Sequence, residues 1–232
     1  GTIQPLEKVS EIIGDRDIYL HTDAAQAPGK LKLDVESMGV DMMTINGHKM
    51  YAPKGVGALY ISSNLQADPL LHGGGQENNI RSGTENTPGI AGLNVAIKEI
   101  PKFNQKNKYN NKINNLKKHF VKKLKENESK LPEFEINSPL DNNWAPHIVN
   151  LSFPNLRGEV IVHSLEKEGI YISTGSACHS RKKEKNNTLK AINLSQKMLE
   201  GTIRISFSTY NTKKEINYTI KKLIKQLDFL SI

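Results

Sequence analysis

The N-terminal part of the chain alternates short apolar runs with polar or glycine-rich segments, a pattern typical of a mixed α/β fold. A short helix is predicted after Pro5 in PLEKVSEII, and strands are predicted in IYLHTDA, DMMTINGHK and GVGALYIS. DVESMG predicts a helical turn between the first two strands. After the polar loop LLHGGGQENNIRSGTENT, the segment PGIAGLNVAIKEI predicts a helix with Pro88 near its first turn. We interpret this part as an incomplete parallel α/β sheet.

The pattern changes after Pro132 and predicts a compact α+β domain. FEINSP, HIVNLSFP and TIRISFS are predicted strands, and GEVIVHSLEKEG is a predicted helix that Gly169 ends. IYIST leads into a polar loop. The last predicted helix has an apolar face formed by Ile216, Ile220, Leu223 and Leu227.

A strongly basic segment, residues 102–130, joins the two parts, and we place the domain boundary in or near it. It contains ten lysines against Glu126 and Glu128. A helix with one apolar stripe is predicted there, formed by Ile113, Leu116, Phe120 and Leu124. The lysines would either bind nucleic acid or an acidic partner, or form a solvated helix face. We favour the solvated face, because only a few aromatic residues are interleaved with the ten lysines.

Composition narrows the class of protein. The chain has 232 residues, a hydrophobic fraction of 37%, a net charge of +8 and one cysteine. No run approaches the roughly 18 apolar residues of a membrane span, and no secretory signal is present. A reducing cytoplasm is the expected location. Because the chain opens at Gly1 on GTIQPLEKVSEII, we expect it to be a piece of a longer protein.

The single cysteine, Cys178, lies in the loop STGSACHS. A lone cysteine is often a small buried hydrophobic residue. Here the neighbours are small or polar, and Arg181, Lys182 and Lys183 follow closely. Nearby cations favour the reactive thiolate over the thiol, so a nucleophilic role is the alternative reading.

Two predicted strand ends carry groups suited to an aldehyde cofactor. Lys49 follows the second strand, where it could contact phosphate as a point charge or form a Schiff base. Asp23 ends the first strand, where a carboxylate could pair with the ring nitrogen of pyridoxal phosphate (PLP). Gln26 lies one short turn further on, within reach of the ring hydroxyl. Each residue alone has an ordinary structural explanation, since Asp23 could cap a helix and Lys49 could be solvated.

Five motifs together resemble those of a known family. HTDAAQAPGK, NGHKMYAPKGVGALYI, GGGQENNIRSGTEN, STGSACHS and GTIRISFS occur in the order found in cysteine desulfurases of the NifS/IscS type. These are fold-type I PLP enzymes of the class-V aminotransferase family. The resemblance covers nearly the whole chain. It implies that residues 1–105 are the C-terminal part of the PLP-binding large domain, and that residues 106–232 are a small domain with the catalytic cysteine loop.

The resemblance also implies roles for individual residues. Lys49 would bind PLP covalently and shuttle a proton, and Cys178 would take sulfur from substrate L-cysteine as a persulfide. Arg204, in TIRISF, would clamp the substrate carboxylate. The residues implied to bind the cofactor are Asp23, Gln26, Asn46, His48, Lys49 and Thr84. No metal site is implied.

The implied partners are L-cysteine, a second copy of the chain, and a sulfur acceptor that serves iron-sulfur cluster assembly or tRNA thiolation. Thr84 resembles the threonine that reaches the phosphate bound by the neighbouring subunit, which implies a homodimer. No membrane partner is expected, and we do not expect direct binding of nucleic acid.

Selenocysteine lyase is a near variant of this activity. A non-catalytic basic module that binds RNA or a protein partner through residues 102–130 is the alternative from another class.

The chain departs from the family pattern in two respects. Asn46 stands where the family usually has a phosphate-binding serine, although an amide can also donate a hydrogen bond. In the family, the segment before GTIQP supplies a histidine that stacks on the PLP ring, an asparagine near the substrate and a phosphate-binding loop. We therefore expect this span alone to be poorly active.

Overall fold

The computed structural model describes residues 1–100, 108–140, 144–175 and 187–231. The chain divides into two compact units. The N-terminal unit is Gln4–Asn107, and the C-terminal unit comprises Gly1–Ile3 and Lys108–Ile232. In the described part of the chain, no helix has both the length and the apolar character needed to cross a membrane.

The described part of the N-terminal unit contains three helices and a three-stranded sheet, which confirms the predicted α/β class. Its elements in chain order are α1 (Leu6–Ile13), β1 (His21–Asp23), α2 (Val35–Met38), β2 (Met42–Asn46), β3 (Gly57–Ile61) and α3 (Thr87–Glu99). A 3₁₀ turn, Gly47–Lys49, follows β2 directly. The strand order is β1-β2-β3.

The sheet is mixed, since it contains a parallel strand pair, as predicted, and one antiparallel strand. β1 and β2 are parallel and are joined through α2, whereas β3 runs antiparallel to β2. Parallel strands need a long crossover connection. The connection from β2 to β3 covers residues 47–56 and contains only the 3₁₀ turn, so the chain returns in the opposite direction.

β1 is shorter than the predicted strand, which began at Ile18. The backbone N–H of Leu20 donates to the carboxylate of Asp41 at 2.8 Å instead of continuing the ladder. Ile18 and Tyr19 are exposed.

Two small apolar clusters stabilise this unit. α3 contributes Leu93 and Ala96 to a cluster with Met50 and Ala52, which follow the 3₁₀ turn. The other cluster consists of Ala24, Val40 and Met43, with α1 and α2 side chains packed around it.

The C-terminal unit is an antiparallel sheet, order β4-β5-β6, with helices packed on its apolar face. Its strands are β4 (Glu135–Ile136), β5 (Ile148–Ser152) and β6 (Thr202–Ser206). Its helices are α4 (Lys108–Glu126), α5 (Gly158–Glu166), α6 (Asn187–Ala191), α7 (Gln196–Glu200) and α8 (Lys213–Leu230), with a 3₁₀ turn at Glu128–Lys130.

The predicted helix stripes form the core of this unit. Every residue of both stripes is buried: Ile113, Leu116, Phe120 and Leu124 of α4, and Ile216, Ile220, Leu223 and Leu227 of α8. They pack with Val149, Leu151, Ile203 and Ile205 of the sheet. The apolar periodicity therefore identified both helices and their buried faces.

α6 and α7 were not predicted. Both are short and largely polar, so they lack an apolar stripe. The one local signal was Ser195, whose hydroxyl caps α7 by accepting a hydrogen bond from the N–H of Met198 at 3.4 Å.

Candidate active site

The parallel strand pair of the N-terminal unit brings several predicted site residues to one edge of the sheet. β1 ends at Asp23, which lies opposite Thr44 of β2. β2 runs on to Asn46, and the 3₁₀ turn with His48 and Lys49 follows. Ligands of open α/β sheets bind outside the carboxyl ends of the parallel strands, and these residues lie at that edge.

The carboxylate of Asp23 is held by the loop that follows β1. Its Oδ1 accepts a hydrogen bond from the N–H of Ala25 at 2.9 Å, while the N–H of Ala24 donates to the carbonyl of Thr44 at 2.8 Å. Asp23 remains exposed at the end of its strand, and Gln26 is exposed in the same loop. These hydrogen bonds hold the backbone around Asp23 and leave its carboxylate accessible.

The turn that carries Lys49 is tied to β3 through Gly47. The N–H of Gly47 donates to the carbonyl of Val56 at 2.8 Å. A Cβ on residue 47 would lie 2.8 Å from that carbonyl oxygen, so only glycine permits this close approach. The carbonyl of Gly47 accepts hydrogen bonds from the N–H groups of Met50 and Ala52. Lys49 is half-buried between these anchor points.

Asn46 and His48 flank Gly47 in different environments. The Asn46 side-chain oxygen is buried and has no hydrogen-bond partner among the described residues. His48 is exposed. The side-chain oxygen of Asn46 can therefore accept a hydrogen bond at this edge of the sheet, and no group in the described chain donates one.

Thr84 lies on a different loop from these residues. It is exposed on the loop between β3 and α3, and it lines an open groove of about 990 Å³ together with Thr44 and residues of β3. Within the described ranges it makes no hydrogen bond to the residues at the sheet edge.

Two contacts of this site were missed by the sequence reasoning. The ammonium of Lys30 donates to the backbone carbonyl of Lys49 at 2.9 Å, and the His21 ring nitrogen Nε2 lies 2.8 Å from the hydroxyl of Thr44. Both His21 and Lys30 belong to the motif HTDAAQAPGK. The motif therefore marked both residues as part of the site. Its sequence does not show that the first residue contacts Thr44 or that the last contacts Lys49.

In the C-terminal unit, Arg204 lies in the middle of β6 opposite Asn150. Its side chain is half-buried, and its Nε is buried without a hydrogen-bond partner in the described part of the chain. Burial lowers the pKa of the Arg204 guanidinium. An arginine nevertheless stays charged at neutral pH, so this site holds a cation with an unsatisfied donor.

A polar network, which the sequence reasoning also missed, crosses the sheet beside Arg204. Asn150 donates its side-chain N–H to the carbonyl of Ile203 at 3.1 Å, and Asn137 donates to Asn150 Oδ1 at 2.6 Å and to Ser152 Oγ at 2.7 Å. Ser152 Oγ lies 3.1 Å from the hydroxyl of Thr202. These bonds connect the strands on the face opposite the apolar core.

Cys178 lies outside the described residues. The segment leading to its loop is described as far as Gly175, and it pairs with β6 through a bridge between Ser173 and Arg204. The Ser173 hydroxyl also contacts the backbone of Gly175, accepting from its N–H at 3.1 Å and donating to its carbonyl at 2.8 Å.

Comparison with known proteins adds evidence that does not depend on this geometry. Residues 1–219 match the family described as "Aminotransferase class-V". The chain is 39% identical over 234 residues to "Cysteine desulfurase IscS" of Dictyoglomus turgidum, covering 100% of this chain and 58% of that protein. The chain thus spans less than two thirds of the length of this relative.

Solved structures show the same likeness. A NifS-like protein from Rickettsia africae superposes with a TM-score of 0.84 at 30% identity, covering 98% of this chain and 59% of that one. A structure titled "SspA in complex with cysteine" superposes with a TM-score of 0.69 at 34% identity, covering 91% of this chain and 56% of that one.

Proposed function

Because the chain belongs to the class-V aminotransferase family, we propose that it is part of a PLP-dependent cysteine desulfurase. The reaction converts L-cysteine to L-alanine and leaves a persulfide on Cys178. Residues 1–105 belong to the PLP-binding large domain in this proposal, and residues 106–232 form the small domain. Its main support is the placement of Asp23 and Lys49 at the carboxyl edge of one parallel strand pair.

The groups at this edge fit the cofactor chemically. A primary amine can bind the aldehyde, and a carboxylate can pair with the protonated ring nitrogen. Amide and imidazole groups can donate hydrogen bonds to the ring hydroxyl and the phosphate. The buried, unpartnered oxygen of Asn46 marks an unsatisfied polar position at the same edge. In this proposal Lys49, Asp23, Gln26, Asn46 and His48 hold the cofactor.

When bound, PLP withdraws electrons from the α-carbon of the substrate. The Lys49 amine would hold the cofactor aldehyde, and when free it would take up the proton of the substrate α-carbon. The carboxylate of Asp23 would pair with the ring nitrogen and favour its protonated form.

Arg204 and Cys178 complete the reaction. The guanidinium of Arg204 binds the substrate carboxylate through two parallel hydrogen bonds, which suits its fork of donors better than a lysine ammonium. The Cys178 thiolate attacks the substrate sulfur, so an S–S bond forms and the substrate C–S bond breaks. The electron pair of that bond stays with the substrate carbon, which is protonated to give alanine.

The proposal extends to partners and location. Thr84 reaches the phosphate bound by a second copy of the chain, so the enzyme is a homodimer. The persulfide sulfur passes to a scaffold protein for iron-sulfur clusters or to a tRNA-thiolation enzyme. A cytoplasmic location agrees with the single cysteine. Binding of RNA through the basic segment is not favoured, because the apolar stripe of α4 is buried in the core and serves the fold.

Activity assays on the full-length protein test the proposal. We expect L-alanine to form from L-cysteine only when PLP is bound, with one sulfur released per alanine. A protein that binds PLP but forms no alanine from cysteine would contradict it. A strong preference for selenocysteine would instead identify the lyase variant.

A further inference from the structure

Lys30 makes an uncommon contact in the N-terminal unit. Its ammonium donates a 2.9 Å hydrogen bond to the backbone carbonyl of Lys49, nineteen positions further along the chain. Lys30 is half-buried. A lysine ammonium normally extends into water, so a half-buried one that bonds to a neutral carbonyl needs a structural explanation.

The segment that carries Lys30 is the loop after β1. This loop follows Asp23 and includes Gln26. It is folded by two backbone hydrogen bonds to the carbonyl of Ala27, from the N–H groups of Lys30 at 3.0 Å and Leu31 at 2.9 Å. A further bond, from the N–H of Ala27 to the carbonyl of Ala24 at 2.9 Å, links this turn to the residue that follows Asp23.

The acceptor belongs to the 3₁₀ turn that follows β2. This turn is anchored on its other sides by the hydrogen bond from Gly47 to Val56 and by the buried side chain of Met50. The Lys30 bond adds a third anchor, at Lys49 itself. It connects the loop of Asp23 directly to the residue proposed to bind the cofactor.

This contact has an electrostatic cost. Burial lowers the pKa of Lys30, and the positive charge of Lys49 lowers it further. A hydrogen bond from a charged donor is stronger than a neutral one, and it offsets part of this cost. Lys32, two positions on, has an exposed side chain that pairs with Asp34 at 3.6 Å, so it lacks any comparable role.

We propose that Lys30 is a positioning residue that holds the backbone of Lys49 against the loop of Asp23 and Gln26. The bond fixes the cofactor-binding lysine before the cofactor arrives. This inference rests on the proposed function for its significance, but the tether itself is a property of the cofactor-free chain.

Amide hydrogen exchange on the cofactor-free, full-length protein tests the tether. Lys30→Met removes the donor and keeps an unbranched side chain, while Lys30→Arg keeps a cationic donor. Lys32→Met is the matched control. The amides of Met50 and Ala52 report on the turn, because both donate to the carbonyl of Gly47, and the α3 amide of Val95, in the same unit, reports on the general stability of that unit.

We expect roughly tenfold faster exchange at Met50 and Ala52 in Lys30→Met, since a bond from a charged donor is lost. Lys30→Arg should recover part of the protection, and Lys32→Met should exchange like the parent. Unchanged exchange in Lys30→Met would overturn the inference. Equal acceleration at Val95 would also overturn it, because the effect would then be general destabilisation of the unit.

A second measurement separates this inference from the proposed function. The dissociation constant for PLP should rise roughly tenfold in Lys30→Met and stay unchanged in Lys32→Met. If the parent protein binds no PLP, the proposed function fails, and the exchange experiment still decides whether Lys30 holds the turn.

Discussion

Ser173 and Arg204 pair through two backbone hydrogen bonds, in which the N–H of each residue donates to the carbonyl of the other. The bond from Ser173 to Arg204 measures 3.1 Å. Cys178 follows Ser173 by five positions in the chain. The start of the cysteine loop is therefore attached to the strand residue that we propose binds the substrate carboxylate.

Arg204→Lys should weaken binding of cysteine far more than binding of PLP. A lysine cannot reproduce two parallel hydrogen bonds to a carboxylate. Loss of one charge-assisted bond costs roughly 1.5–3 kcal/mol, or about one to two orders of magnitude in affinity. Steady-state kinetics with cysteine and a separate PLP titration give the two values. An unchanged KM for cysteine would count against the assignment.

Lys49→Ala should abolish the bond to PLP that borohydride reduction traps. Lys49 lies at the same carboxyl edge of the β1–β2 pair as Asp23. Lys54→Ala, at an exposed position nearby, is the matched control and should keep the trapped bond. Mass spectrometry of the reduced protein locates the label. A label on Lys54 would refute the assignment.

Much of the fold follows from periodicity, and the site follows only in part. The stripes of α4 and α8 predict both the helices and their buried faces, because a helix must bury its apolar side. The direction of β3 cannot be predicted from the alternation of apolar and polar residues, because this alternation does not distinguish a parallel strand from an antiparallel one. It depends on the connection 47–56, which is too short for a helical crossover.

The positions of Asp23 and Lys49 at strand ends were predicted because Asp23 comes at the end of one predicted strand and Lys49 directly follows the next. The contact between Lys30 and Lys49 was not, because it joins residues on two different loops and depends on the strand pairing. The polar network of Asn137, Asn150 and Ser152 was missed for a related reason. Asn137 directly follows β4, whereas Asn150 and Ser152 belong to β5, and no local pattern specifies the pairing register of these two strands.

Leu124→Ala should destabilise the C-terminal unit by about 2–5 kcal/mol, because it leaves a cavity in a close-packed core. Leu124 is fully buried at 0% exposure. Phe229→Ala, at a side chain with 74% exposure, is the control and should change stability little. Urea unfolding followed by circular dichroism measures both. Equal effects of the two substitutions would contradict the packing described for α4.

Glu168→Gln should lower the melting temperature near neutral pH. Glu168 accepts hydrogen bonds from the ammonium of Lys222 and, at 3.0 Å, from Gln226. The bond from Lys222 lowers the pKa of Glu168 below its ordinary value of 4.5, and the bond to Glu168 raises the pKa of Lys222 above 10.5. The charged pair therefore stabilises the folded state at pH values between the lowered pKa of Glu168 and the raised pKa of Lys222.

The pH dependence has a definite sign. Stability from the carboxylate is present above pH 4.5 and is lost as the pH falls through the lowered value, while stability from Lys222 is lost as the pH rises through its raised value. The gap in melting temperature between parent and Glu168→Gln should shrink at both extremes. Glu166→Gln, with a more exposed side chain, is the control. A gap that does not vary with pH would rule out the ion pair as its cause.

The fate of the substrate sulfur tests the central claim most directly. The full-length protein, loaded with PLP, is treated with L-cysteine in the absence of an acceptor, and its peptides are then mapped by mass spectrometry. We predict that the peptide with Cys178 gains the mass of one sulfur atom, in step with alanine formation. The Cys178→Ala variant should keep the colour of bound PLP and form no alanine. Alanine formation at the parent rate in that variant, or an unmodified Cys178 peptide during turnover, would contradict the account.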